Sequence, residues 1–285
     1  MFSDHRFQVL GIHYARLDVA WNAVEYEPSR SRIADWLEDA KADRVRPLIT
    51  FDHGQQPGWR EHLPSAARFG VAFRRFRAQF PWVGDFATWN EANYCGEPTC
   101  KQAGRVAHYY QQIREYCRGC EVLGAELLDE SNMNEWTSQF RGALGGGEPE
   151  IWGLHNYIGA NRLKTGSTVR LLEATKAPIW LTETGGVVSR SGRHPADFTA
   201  SATHAALVTR FLFGRILRLS RRIKRIYIYQ WDGGGPRASW DSGLIAPNGR
   251  SRPAYDVFVE QLSEFGQLPN TFAAQTALAD ASAWG

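Results

Sequence analysis

Two glutamates in this chain are flanked by residues that suit acid–base or nucleophilic chemistry. Glu91 lies in the run Trp-Asn-Glu-Ala-Asn and Glu183 in the run Leu-Thr-Glu-Thr-Gly-Gly, and each run follows a short apolar segment. Two neighbouring carboxylates can share one reaction, because one can act as nucleophile while the other donates and accepts a proton. These roles need different pKa values, which differences in environment can provide. Either glutamate alone could be an ordinary surface carboxylate, so the argument depends on the fold that positions them.

Short apolar segments alternate with amphipathic segments along most of the chain, which predicts alternating β-strands and α-helices. The apolar segments are rich in Val, Ile, Leu and aromatic residues, as buried parallel strands are. The predicted strands are Tyr14–Ala20, Val45–Phe51, Trp82–Trp89, Glu121–Leu127, Glu150–His155, Pro178–Glu183 and Lys224–Trp231. The predicted helices are Ser3–Gly11, Ser31–Asp43, Ser65–Phe80, Lys101–Cys117, Ser131–Leu144, Thr168–Lys176, Pro195–Arg222 and Arg252–Phe265.

A repeated strand–helix pattern without a domain-breaking linker fits either a doubly wound sheet or a (β/α)8 barrel. No Gly-x-Gly-x-x-Gly motif follows the first strand, which argues against a dinucleotide-binding sheet, and 285 residues suit a barrel. Seven strands are predicted rather than eight, and the chain opens on a helix. We therefore expect an α/β fold, a TIM (β/α)8 barrel lacking the first β-strand at the N-terminus. The barrel is expected to span residues 1–267 as a single domain, followed by a C-terminal tail over 268–285.

In (β/α)8 barrels the active site lies at the C-terminal ends of the strands. At or near these ends the sequence places Arg16, His53, Asn90, Glu91, His155, Tyr157, Glu183 and Trp231. Glu91 and Glu183 would face each other across the barrel mouth. A carboxylate pair about 5 Å apart suits hydrolysis of a glycosidic bond with retention of configuration. The 11 tryptophans also suit sugar binding, since sugar rings stack on aromatic planes, although most tryptophans pack in cores.

On these residues the sequence resembles the clan A retaining glycoside hydrolases, in a style similar to families five and thirty-nine. The resemblance rests on Arg16, Asn90-Glu91, His155-x-Tyr157, Glu183 and Trp231, and it covers roughly residues 3–266. It implies that Glu183 is the nucleophile and Glu91 the acid/base. The substrate would be an oligo- or polysaccharide or a glycoside, with a β-linked bond, and no metal or organic cofactor would be required.

The resemblance also implies supporting roles around the two glutamates. Asn90 would bind the sugar 2-hydroxyl, Tyr157 would hydrogen-bond the nucleophile, and Trp231 would form the floor of the −1 subsite. Arg16 would keep Glu183 ionised by lowering its pKa through charge proximity.

Several other residues have a functional and a structural interpretation. His155 could bond a sugar hydroxyl or pack beside Tyr157, and His53 could contact substrate or satisfy the loop after its strand. Asp129 could bind substrate or cap the helix that follows. Asp85 lies inside a strand, where an inward carboxylate is costly unless it is paired. A substrate-binding role in an outer subsite and a purely structural role are both possible for Trp21, Trp59, Trp240, Asp232 and Asp241.

The four cysteines fall in one short segment, as Cys95-x4-Cys100 and Cys117-x2-Cys120. Two local disulfides are one interpretation, because the first pair flanks a Gly-Glu-Pro-Thr turn and the second lies at an apparent helix end. Free thiols and a zinc site are the alternatives. Disulfides would indicate an oxidising compartment, and hence an extracellular or secreted protein. No signal peptide opens the chain, which would then mean a mature form, a trimmed chain or a misplaced start.

Composition and charge exclude other classes of partner. No apolar run is long enough for a membrane span, so no membrane partner is expected. Lys+Arg 33 against Asp+Glu 30 is too balanced for a nucleic-acid binder, and the Arg-rich runs recur at helical spacing as solvated helix faces do. The missing strand leaves two alternatives open: a non-catalytic carbohydrate-binding protein or inactive relic, and a homodimer whose contact covers the exposed strand edges.

Overall fold

The central feature of the fold is a closed barrel of parallel strands surrounded by helices. It is described by a computed structural model that covers residues 1–54, 58, 60–191, 198–235, 237–267 and 275–280, with the backbone alone for 267 and 275–280. The prediction of a TIM-type barrel is confirmed.

Seven of the described barrel strands overlap the predicted segments, and β10 was not predicted. The barrel strands are β1 (Tyr14–Ala20), β2 (Arg46–Asp52), β3 (Asp85–Ala87), β4 (Glu121–Leu128), β5 (Ile151–His155), β6 (Ile179–Thr184), β8 (Ile223–Tyr229) and β10 (Gln275–Asp280). A small antiparallel sheet pairs β7 (Ser189–Arg190) with β9 (Trp240–Asp241). The helices are α1 (His5–Gln8), α2 (Glu27–Ala42), α3 (Ala66–Gln79), α4 (Ala103–Tyr116), α5 (Met133–Ala143), α6 (Tyr157–Asn161), α7 (Gly166–Ala174), α8 (Ala202–Phe211) and α9 (Pro253–Gln267).

The place of the predicted missing strand is taken by a segment from the other end of the sequence. No described residue before Tyr14 forms a strand, as predicted, but β10 lies between β1 and β8 and pairs in parallel with both. The expected tail over 268–285 is therefore wrong for residues 275–280, and the rest of that stretch lies outside the described residues. Because β1 and β8 find partners within the chain, the edges that a homodimer was expected to cover are paired.

The helices pack their apolar faces against the outside of the barrel. In α3 the apolar residues recur three and four positions apart, so Phe69, Phe73 and Phe76 share one face. All three rings meet Phe51 of β2 edge-on, with centroids 5.5 to 6.1 Å apart. Ser65 caps the helix by accepting a backbone N–H of its first turn. This packing holds β2, and the loop that follows it, in place at the barrel mouth.

The N-terminal end of the barrel interior is filled by side chains and closed by an ion-pair network. The interior cluster contains Leu48, Ala87, Leu123, Ile151, Trp180 and Tyr227. Asp85 is fully buried at this end and accepts hydrogen bonds from Arg46 Nε at 2.9 Å and Arg225 Nη1 at 2.7 Å. The expectation that this carboxylate must be paired is thus confirmed. The C-terminal strand ends remain as the open end of the barrel, where sites lie in this fold.

The four cysteines form two disulfides, Cys95–Cys100 and Cys117–Cys120, with Cα separations of 4.8 and 5.4 Å. These separations lie in the usual range for the bond. Of the three interpretations of the cysteine spacing, the two local disulfides are therefore confirmed. Among the described helices, none combines the length and the apolar character that crossing a membrane requires.

Candidate active site

Glu91 and Glu183 meet at the open end of the barrel. Glu183 lies near the end of β6, and Glu91 lies in the loop that follows β3. One carboxylate oxygen of each and one ring nitrogen of His155 all lie within 4.8 Å of one another. The Glu91 backbone has a φ of 39°, which non-glycine residues seldom adopt and which recurs at functional sites. The fold thus brings together the two glutamates that the sequence placed at separate strand ends.

Arg16 of β1 joins Glu183 to a third carboxylate, that of Glu126 on β4. Its Nη1 donates to Glu183 Oε1 at 2.5 Å, while Nη2 and Nε donate to the two oxygens of Glu126 at 2.6 and 3.0 Å. Nη2 also donates to Asn90 Oδ1 at 2.9 Å. Burial alone would raise the pKa of Glu126, but the charge of Arg16 and the nearby His155 outweigh burial and lower it to about 2. Glu126 is therefore ionised, and its two oxygens hold the Arg16 guanidinium in the orientation that reaches Glu183.

His155, the last residue of β5, is fully buried among the three carboxylates. Its Nδ1 lies 3.1 Å from Glu91 Oε1 and 3.8 Å from Glu183 Oε2, and its Nε2 lies 3.5 Å from Glu126 Oε2. Burial opposes protonation, but the charge of Glu183 and the other two carboxylates outweigh it and raise the pKa of His155 to about 10. The resulting imidazolium partly neutralises the acidic cluster.

The net pKa direction of Glu183 is opposite to the one that the resemblance implied. Burial is the largest influence and raises the pKa of this carboxyl. The charges of His155 and then of Arg16 lower it, and the neighbouring glutamates raise it again. Arg16 therefore acts in the expected direction, but desolvation outweighs its effect because the carboxyl is largely buried.

A cavity of about 320 Å³ opens above the carboxylates. Its lining residues are Asp18, Asn90, Glu91, Tyr94, Leu128, Glu130, Tyr157, Ile158, Glu183, Phe198, Tyr229 and Trp240. The Tyr157 hydroxyl donates to Glu183 Oε2 at 3.3 Å, as the resemblance implied. The Trp240 ring meets the Tyr157 ring edge-on at 5.1 Å. Carboxylates at the base and aromatic rings on the walls suit a ligand with hydroxyl groups and apolar ring faces.

Trp231 does not form the floor of this cavity. It is 1% exposed and packs in the core, edge-on to Phe7 at 5.6 Å and to Tyr255 at 5.9 Å. The prediction is wrong because β8 ends at Tyr229, so the chain has left the barrel before it reaches Trp231. The aromatic ring that lines the cavity at this strand end belongs to Tyr229.

His53 is not among the described residues that line the cavity. Its Nδ1 lies 2.8 Å from Asp52 Oδ1 and 3.2 Å from Glu97 Oε2. Hydrogen bonds to these two carboxylates raise the pKa of His53 to about 10. The structure therefore supports the structural interpretation of His53 and not the substrate contact. Its ring connects the loop after β2 to the Cys95–Cys100 turn.

The remaining aromatic and acidic candidates divide between cavity and core. Trp240 lines the cavity, whereas Trp21 is buried in the core. Asp241 forms an ion pair with Arg252 at 2.6 Å. Trp59 lies outside the described residues.

The sequence analysis assigned no role in the site to Glu126, which lies near a predicted strand end, or to Tyr229. Glu126 carries a signal, because a glutamate inside the otherwise apolar run Val-Leu-Gly-Ala-Glu-Leu-Leu must find a charged partner when that strand is buried. Tyr229 carries no comparable signal, since aromatic residues are common in buried strands.

Two groups of described residues could offer ligands to a metal ion. They are Glu91 with His155 and Glu183, and Asp52 with His53 and Glu97. A metal requires the neutral imidazole, and each histidine has a pKa of about 10. Binding of a metal ion at either group would therefore displace a proton from the histidine.

Comparison with known proteins gives a match to solved structures. No family model and no curated protein matches the sequence. Xylanase 10B from Thermotoga maritima superposes with a TM-score of 0.63 at 14% identity, covering 90% of this chain and 96% of that one. GH5_18 from Streptomyces cattleya, in complex with GlcNAc, gives a TM-score of 0.67 at 14% identity, covering 94% and 76%. A family 39 glycoside hydrolase from Bacteroides cellulosilyticus WH2 gives 0.61 at 17% identity, covering 92% of this chain and 60% of that one.

The chain has the barrel fold of the clan A glycoside hydrolases. At these identities the similarity establishes the fold, and the arguments about individual residues rest on the geometry of the site.

Proposed function

We propose that this chain is a retaining glycoside hydrolase that cleaves β-linked O-glycosidic bonds by double displacement. The observation that carries the proposal is the separation of the carboxylates, since oxygens of Glu91 and Glu183 lie within 4.8 Å of each other. Retaining enzymes hold the pair about 5 Å apart, because the nucleophile must reach the anomeric carbon itself. Inverting enzymes need about 6.5 to 9.5 Å to leave room for a water molecule. The glycoside hydrolases that share the fold support the same reaction class.

In the first step a carboxylate oxygen of Glu183 attacks the anomeric carbon while Glu91 gives its proton to the glycosidic oxygen. The bond to the leaving group breaks, and a glycosyl ester forms on Glu183. In the second step Glu91 takes a proton from a water molecule, whose oxygen attacks the same carbon and releases Glu183. Two inversions at one carbon leave its configuration unchanged.

The surroundings of the two glutamates support this division of roles. Arg16 and Tyr157 bind different oxygens of Glu183, at 2.5 and 3.3 Å, so the attacking carboxylate is oriented before substrate arrives. The Glu91 side chain is 23% exposed against 12% for Glu183, which suits a group that must meet water in the second step.

The test combines substitution of each glutamate with rescue by azide. Wild type is first assayed on aryl β-glycosides and on a panel of β-glycans to find a substrate. Glu183→Ala should lose activity, and azide should restore turnover while giving a glycosyl azide of inverted configuration. Glu91→Ala is the matched control, because azide should then attack the ester on Glu183 and give a product of retained configuration. Undiminished hydrolysis by Glu183→Ala would refute the assignment.

The alternative of a non-catalytic carbohydrate-binding protein or relic rested on an open barrel. With β10 between β1 and β8, that motive is removed, and the carboxylates with their supporting arginine, histidine and tyrosine favour an enzyme.

We also infer an extracellular location, which two disulfides in one short segment support. Protein purified without reductant should show no reactive thiol even when it is unfolded. Four reactive thiols in that experiment would contradict the inference.

A further inference from the structure

A second and larger cavity adjoins the catalytic cavity. It has a volume of about 770 Å³ and lies between the loops that follow β4 and β5 and the first turn of α7. Glu130 and Ile158 line both cavities, so the two share a wall. The volume lies within the range of sites that hold small ligands.

The outer wall of this second cavity is positively charged. Arg162, Lys164 and Arg170 line it, and all three are exposed. The N-terminus of α7 also faces it through Gly166 and Ser167, and the N-cap residue of that helix makes no side-chain hydrogen bond to the first turn. Guanidinium groups and helix N-termini both favour anions.

The acidic residues of the wall lie on its inner side. Asp129 is 2% exposed and accepts hydrogen bonds from the backbone N–H groups of Ile158 at 3.0 Å and Gly159 at 2.7 Å, and it also interacts with Ser167 and with the charge of Arg170. Glu130 is half-buried on the shared wall, and burial together with the charge of Glu91 raises its pKa. Glu130 follows β4, and β4 is the neighbour of β3, whose following loop carries Glu91, so the shared wall lies on the side of the proposed acid/base.

We propose that the second cavity is a leaving-group subsite for a sugar residue that carries an anionic group, either a carboxylate or a sulfate ester. The proposal rests on the proposed function, because the acid/base defines the side on which the leaving group departs. Three basic side chains and a helix N-terminus provide donors for the anion, while Glu130 stays next to the neutral ring at the cleaved bond. The natural substrate is therefore an acidic glycan.

The test measures binding to the inactive variant Glu183→Gln, so that it does not depend on hydrolysis. The probes are xylo-oligosaccharides bearing glucuronic acid and their carboxyl-reduced forms, and sulfated galacto-oligosaccharides and their desulfated forms. The anionic form of one pair should bind more tightly than its neutral form, and the pair that shows this distinguishes carboxylate from sulfate. Triple substitution of Arg162, Lys164 and Arg170 by Gln should weaken that binding about 10- to 100-fold, as expected for lost charge-assisted hydrogen bonds.

The matched control replaces Arg215, Arg218 and Arg221 by Gln, which changes the net charge equally at exposed positions just before β8. Its affinities should stay within about twofold of the parent, because these residues do not line the second cavity and precede the start of β8, at the end of the strands opposite to the barrel mouth. Equal affinity for anionic and neutral forms, no binding of any anionic probe, or equal losses in both triple variants would overturn the proposal. Hydrolysis of neutral glycans by wild type, together with equal affinity for the anionic and neutral forms of every probe pair, would overturn it while leaving the proposed function intact. Selective binding of an anionic probe, with no hydrolysis by wild type, would support the anion subsite and contradict the proposed function.

Discussion

Replacing Glu126 with Gln should lower the free energy of unfolding at pH 7 by about 3 kcal/mol. The pKa of Glu126 lies at about 2 in the fold against an ordinary value of 4.5, because Arg16 and His155 outweigh the cost of burial. A difference of that size corresponds to about 3 kcal/mol of stability, at about 1.4 kcal/mol for each pKa unit. Removal of one partner from a buried ion pair costs a similar amount, about 3 to 5 kcal/mol. The lower end is expected here, since Arg16 keeps its contacts with Glu183 and Asn90.

The pH dependence of this loss follows from the sign of the shift. A carboxyl whose pKa is lowered in the fold contributes stability that is complete above the unfolded pKa of 4.5 and is lost as the pH falls through about 2. The difference between wild type and Glu126→Gln should therefore be largest at neutral pH and shrink steadily below pH 4.5.

Urea unfolding followed by tryptophan fluorescence at pH 7, 5 and 3 measures this difference. Glu121→Gln is the control, because Glu121 begins the same strand but is 48% exposed and lies 4.0 Å from Arg225. A half-exposed carboxylate at this distance is screened by water and should contribute less than about 1 kcal/mol. If Glu126→Gln were within 1 kcal/mol of wild type at pH 7, or if its deficit did not shrink in acid, the buried network would not be held together as argued.

Two further predictions concern the charges that flank this network. Because the pKa of His155 is raised from 6.5 to about 10, its contribution is complete below pH 6.5 and is lost as the pH rises through 10. Thermal melts should show that the free energy of unfolding of wild type falls by on the order of 4 kcal/mol over that pH range. If the free energy of unfolding of His155→Asn fell as steeply with rising pH, the prediction would be contradicted. Asp85→Asn should lower the free energy of unfolding by about 3 kcal/mol, because it removes the fully buried carboxylate that Arg225 contacts at 2.7 Å. Its kcat should stay within about twofold of wild type, since Asp85 lies at the closed end, and a tenfold loss of kcat with intact folding would show coupling that the structure does not predict.

Much of the fold could be predicted from the sequence, because buried parallel strands leave a local signal. Each of the seven predicted strands overlaps an observed strand, and the structure brings Arg16, Glu91, Glu183 and Tyr157 together as the order of strand ends predicted. A closed barrel carries its strand ends to one rim, so correct assignment of strands is enough to place the side chains there.

The closing strand β10 could not be predicted in this way. Its segment Gln-Thr-Ala-Leu-Ala-Asp is short and contains small residues with weak strand preference, so nothing local distinguishes it from a tail. Its position depends on the unpaired edges of β1 and β8, which exist only after the rest of the barrel has formed. Trp231 was misplaced for a related reason, because the residue at which a strand ends is the least local part of its pattern.

The sequence by itself determined the alternation of strands and helices and the approximate positions of seven barrel strands, since each depends on residues close together in the chain. Only the tertiary structure decided which charges meet. The partnership of Arg16 with Glu126, the charge on His155 and the net direction of the Glu183 pKa are sums over burial and over neighbours that come from different strands. Electrostatic energy depends on distance and on exposure to water, and neither is a property of the sequence until the chain has folded.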